Sequence, residues 1–104
     1  DVASLPLRMG FEDKGGFEIY TIIKNNIIEN FNEAVAREFS DEAVAKIKSK
    51  IYIGWQDVPR EYERITADIQ LISAADKYDE LNIYENEELI DQVMKAVLKY
   101  YKLN

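Results

Sequence analysis

Apolar residues recur along this chain at helical intervals in four stretches, separated by polar or glycine- and proline-bearing breaks. From Phe17 to about Phe39 the stripe is Tyr20, Ile23, Ile27, Phe31 and Val35, and Ile19, Ile22 and Ile28 widen it. Such a pattern predicts a long first helix buried on more than one side. Asn25, Asn26, Asn30 and Asn32 are poor helix formers in its middle and allow a break near residue 25. Ser40, followed by Asp41 and Glu42, reads as the N-cap of a short second helix, because a hydroxyl accepts from an unpaired amide and carboxylates suit the positive end of the dipole. Val44, Ile47 and Ile51 form its inner edge, with Lys46, Lys48 and Lys50 mostly outside.

A hinge follows. Ile51, Tyr52 and Ile53 favour extended backbone, Gly54 permits a sharp change of direction, and Pro59 is tolerated only at a first helical turn. Tyr62, Ile65, Ile69 and Ile72 then make the stripe of a third helix reaching about Tyr78. Asp79 to Asn86 reads as a connection, with Leu81, Ile83 and Tyr84 as anchors onto the core. Asn86 suits the N-cap of a fourth helix whose inner positions are Leu89 or Ile90, Val93, Val97 and Tyr101. Adjacent Tyr100 and Tyr101 cannot both face inward on it. Residues 1–16, with Pro6, Gly10, Gly15 and Gly16, read as an irregular lead-in or linker in which Leu5, Leu7 and Met9 drape over the helices or form a short strand. The expectation is an all-α fold: one domain over 17–104, a small bundle of about four helices with a Gly/Pro hinge between helices two and three.

Composition changes the functional picture more than the fold. At 104 residues and 47% hydrophobic, the chain suffices for one core. Thirteen basic residues against 20 acidic ones give a net charge of -7, which disfavours direct nucleic-acid contact. Cysteine and histidine are both absent, which removes disulfides, thiolate nucleophiles, histidine general bases, Ser-His-Asp devices and ordinary zinc sites. No apolar run approaches the ~20 residues that span a bilayer, so a cytoplasmic location is expected. The chain opens on Asp1 rather than methionine, as a piece of a longer protein would.

Candidate chemistry is sparse. Asp41/Glu42, Asp79/Glu80 and Glu87/Glu88 are paired carboxylates, but neighbouring side chains diverge on a helix, and two of these pairs sit where capping accounts for them. Asp68, Asp76 and Asp79 are the candidates for a metal-dependent enzyme, without a calcium-loop motif to support them. Gly15 and Gly16 before a helix offer only weak anion-binding potential, and no phosphate loop or nucleophile elbow occurs. Folding at Gly54 brings Lys46, Lys48 and Lys50 toward Arg60 and Arg64, with Trp55 and Tyr62 as stacking surfaces; the alternative is ordinary exposed ion pairing with Glu61, Glu63 and Asp68.

Phe17 and Tyr20 opening one helix, Asp41-Glu42 opening another, the Ile53-Gly54-Trp55 step, Arg60-Glu61, Arg64 and Lys77-Tyr78 together resemble the C-terminal helical region of type I restriction enzyme R subunits, which are ATP-dependent DNA translocases and endonucleases. The resemblance implies a non-catalytic docking segment that joins the motor to the modification core, without a cofactor of its own, in a parent that is a site-specific deoxyribonuclease. The contact residues expected on this reading are Trp55, Arg60, Tyr62 and Arg64. The alternative expectation is a freestanding small regulatory, phage or plasmid protein that binds a partner or self-associates through its last helix.

Overall fold

The computed structural model describes residues 10–11, 13–27 and 29–104 and is all-α, with no strand among those residues. The four α-helices among those residues are α1 (Lys14–Asn26), α2 (Glu33–Lys50), α3 (Pro59–Ser73) and α4 (Glu87–Tyr100). Two 3₁₀ segments, Trp55–Asp57 and Asp76–Leu81, lie in the connections on either side of α3. The candidate strand at Leu5, Leu7 and Met9 falls outside the described residues.

Each start has a local cause. Asp13 caps α1 by accepting from the Gly16 amide at 3.0 Å, Asn32 caps α2 through Val35, and Asn86 caps α4 through Leu89. Helix α3 has no side-chain cap and instead places Pro59 at its first turn. The break allowed near residue 25 forms, with α1 ending at Asn26, so the first two helices divide there and not at Ser40. The break falls at 27–32, where Asn30 adopts φ 56, a left-handed conformation that asparagine tolerates better than most residues. Ser40 is therefore not a cap. It lies inside α2, fully buried, and its hydroxyl donates to the Gly16 carbonyl of α1. Helix α1 likewise begins at Lys14, and Phe11 is buried in the core, so the packed domain includes residues assigned to the lead-in.

Helix α1 packs on α2, α2 on α3, α3 on α4, and α4 returns to α1. Asp13 at the start of α1 meets Lys48 at the end of α2, while Asn26 at the end of α1 meets Gln92 early in α4; both pairs are antiparallel. The shared core holds Ile19, Tyr20 and Ile23 of α1, Phe39 and Ile47 of α2, Ile65 and Ile69 of α3, and Val93, Met94 and Val97 of α4. Of the expected anchors before α4, Leu81 and Ile83 are buried and Tyr84 is exposed, and Tyr78 packs edge-on against Phe39 at 5.2 Å. The outcome for function is geometric. The end of α2, the hinge, the start of α3 and the end of α4 all meet at one end of the bundle.

Candidate functional site

At that end the chain turns sharply. The Trp55 amide donates to the Tyr52 carbonyl at 3.0 Å, and Gly54 sits at φ 85, ψ 4, the second central position of a type II turn. Gly54 is required there by its backbone alone, because a Cβ would meet nothing within 4 Å. Ile53, at the first central position, is 75% exposed, and Tyr52 beside it is 48% exposed.

The turn is held from behind by the C-terminal residues. The Gly54 amide donates to the Leu103 carbonyl at 2.9 Å, and Gln56 both donates to that carbonyl and accepts from the Leu103 amide. Trp55 turns inward beneath them, fully buried, its indole N–H donating to the Tyr101 carbonyl at 2.9 Å. Tyr101 faces inward and Tyr100 outward, as two adjacent helix-end residues must. The Tyr101 hydroxyl donates to Asp13, which also accepts the Gly16 amide and pairs with Lys48 at 2.7 Å. Burial opposes the charged form of Asp13, yet the hydrogen bonds from Lys48, Tyr101 and Gly16 hold its carboxyl below the usual value. Burial, and then the Asp13 carboxylate, push the Tyr101 hydroxyl upward. One carboxylate thus ties the start of α1, the end of α2 and the end of α4 together behind the turn.

The four contact residues expected from the sequence separate into two groups. Arg60 and Arg64 are exposed on the first turns of α3, Arg64 within 3.5 Å of Glu61. Tyr62 is half-buried against the core, and Trp55 presents no surface at all. Among the described residues, arginine–aromatic stacking at this end does not form. The cations found over rings among them are Arg37 on Phe11, Lys77 on Tyr78 and Lys99 on Tyr100. What the corner does expose is Tyr52, Ile53 and Val58, flanked by Lys50, Arg60 and Lys102.

Elsewhere the arrangement is structural. Tyr78 donates to Glu42 at 2.6 Å, and Lys77 bridges Glu38 and Glu42, so the 3₁₀ segment after α3 is fastened to α2. The Tyr78 hydrogen bond outweighs the opposing effect of burial and, with Lys77, lowers the Glu42 carboxyl. Asp68, Asp76 and Asp79 do not converge; no group of three or more potential ligands comes together among the described residues. The last helix offers no docking stripe, since Leu89, Ile90, Val93, Met94, Ala96 and Val97 are all buried. No helix among the described residues is long and apolar enough to cross a membrane. No family model, curated protein or solved structure matches the chain.

Proposed function

We propose that this chain is a non-catalytic interaction domain that docks a protein partner through the Tyr52–Ile53 corner. The observation that carries the reading is the contrast at that corner. Its apolar side chains point outward on a turn whose backbone is fixed from behind by Trp55, Gln56 and the strap at 101–104. A preorganised apolar tip loses little entropy on binding, and its cationic rim of Lys50, Arg60 and Lys102 supplies orientation. Arg64 and the exposed edge of Tyr62 extend the rim along α3.

The setting we propose is the one implied by the restriction-enzyme resemblance, a tail segment that joins an ATP-dependent DNA motor to its modification core. Reading the parent gene upstream of Asp1 tests the setting. A nuclease segment and a motor with a phosphate loop support it, and a start codon within a few positions removes it. Binding of the domain to the modification core tests the corner itself. Ile53→Asp and Arg60→Glu are expected to weaken binding by about tenfold or more each while leaving the fold intact. Unchanged affinity in both variants refutes the docking role.

A further inference from the structure

The two ends of the bundle carry opposite character. At the hinge end Lys46, Lys48 and Lys50 close α2, Arg60 and Arg64 open α3, and Lys99 and Lys102 follow at the end of α4; Lys48, Arg64 and Lys99 pair with Asp13, Glu61 and Glu18, and Asp57 and Glu63 lie nearby, so the excess positive charge rests on Lys46, Lys50, Arg60 and Lys102. The far end holds Asp76, Asp79, Glu80 and Glu85 in the connection from α3 to α4, with Lys77 as the cation among them already engaged by Glu38 and Glu42. That acidic connection also contains a recess of about 340 Å³ between Ser73, Tyr78, Asp79, Ile83, Tyr84 and Glu85. Tyr84 stands 58% exposed at its mouth. The bend around it is set by Asn82 at φ 52, whose amide donates to the Asp79 carbonyl.

We infer that this chain associates head to tail with a second copy of itself, the Tyr52–Ile53 corner of one molecule seating in the Tyr84 recess of the next. This deepens the reading of the corner as a docking surface and rests on it. The match lies in charge and in the exposed rings. Tyr52 and Ile53 stand out on one surface and Tyr84 on the other, and Lys50, Arg60 and Lys102 face Asp79 and Glu85. Like ends repel, which disfavours the two-fold arrangement in which corner meets corner. A contact between different surfaces leaves one corner and one recess unused on every dimer, so growth continues into a chain or closes into a ring.

Sedimentation of the full chain from micromolar to millimolar concentration at low salt tests this. The expected result is a weight-average mass that rises with concentration and falls as salt shortens the screening length, without stopping at a dimer. Ile53→Asp disables the corner, and the Asp79→Lys/Glu85→Lys double variant disables the recess; each is expected to weaken self-association by about tenfold or more. Because all three side chains are exposed, circular dichroism should show native helix content; Ile53→Ser and Lys50→Glu/Arg60→Glu provide milder second versions. Mixing a corner variant with a recess variant leaves one functional corner and one functional recess, so the mixture should give a one-to-one dimer that grows no further. A chain that stays monomeric at all concentrations overturns the inference, as does association that survives both variants or that the mixture fails to restore. Modification-core binding by the same Ile53→Asp variant separates the outcomes. If that binding is lost while the wild-type chain is monomeric, the corner docks another protein; if it is unchanged, the docking reading fails as well.

Discussion

Replacing Trp55 with phenylalanine separates the two roles that a lone tryptophan beside a hinge can have. The indole is fully buried, and its N–H satisfies the Tyr101 carbonyl at 2.9 Å. Phenylalanine removes that donor, and leaving a buried acceptor unpaired costs roughly 1–3 kcal/mol. The smaller ring also leaves a void; at ~24 cal/mol per Å3, a residual cavity of about 40 Å3 adds ~1 kcal/mol. The total of about 2–4 kcal/mol is a large fraction of the ~5–15 kcal/mol that holds a domain of this size together. With a urea slope of about 1–1.5 kcal/mol per molar, the unfolding midpoint should fall by roughly 2 M. Because the variant lacks the chain's only tryptophan, the transition is followed by far-UV circular dichroism. Ile53→Ser, at a 75% exposed position, should move the midpoint little, within about 0.5 kcal/mol. An unchanged midpoint in Trp55→Phe would refute the account of Trp55 as the anchor behind the turn, and would restore it as a surface contact.

Further outcomes follow from the same contacts. Gly15→Ala should destabilise by about 2 kcal/mol, although alanine normally gains about 1 kcal/mol over glycine in a helix, because its Cβ would fall 2.7 Å from Cε2 of the buried Tyr101 ring; thermal melts check the sign. Gly54→Ala should cost about 1 kcal/mol from backbone strain alone, since the site has space for the methyl group; urea titration measures it. Asp13 has a lowered carboxyl pKa in the folded protein, so its contribution is present above the unfolded value of about 3.9 and is lost as pH falls through the lower folded value. Asp13→Asn should therefore flatten the acid side of the stability–pH curve below about pH 4, and an unchanged slope refutes the assignment.

Periodicity carried most of the helix content because helical burial follows local spacing, and the stripe Tyr62, Ile65, Ile69 and Ile72 runs along α3 as the pattern requires. It put the start of α2 at Ser40 because Asn32, read only as a poor helix former, is the residue that caps the helix. Ser40-Asp41-Glu42 and Asn32-Glu33 both suit a helix start, and local propensity does not rank them. The choice is made by packing. Gly16 lets α1 come close to α2, and Ser40 is the small polar residue that fits there and bonds the Gly16 carbonyl. Trp55 was misplaced for a related reason. Its partner lies 46 residues away in the strap after α4, a contact with no trace in the spacing around Gly54. The exposed face of the corner became visible only once that strap had claimed the tryptophan.

The polarity of the bundle shows how a local rule acquires a global consequence through topology. Acids at helix starts and bases at helix ends are favourable everywhere, and in an antiparallel bundle with uniform capping charges they cancel between neighbours. Here they do not. Helix α2 has Glu33 in its first turn and Lys48 and Lys50 in its last, and α4 has Glu87 and Glu88 first and Lys99 last; both run toward the hinge corner. The helices running the other way carry fewer such charges, for α1 has Lys24 in its last turn but no acid in its first, and α3 has Glu61 in its first turn but no base in its last. Arg60 and Arg64 further offset Glu61 where α3 begins. The terminal charges of α2 and α4 outnumber these, and the basic end coincides with the outward-facing Ile53. Stability alone is served equally well by a symmetric distribution, so the separation of charge, like the exposed tip, favours a molecule that meets its partners end-on.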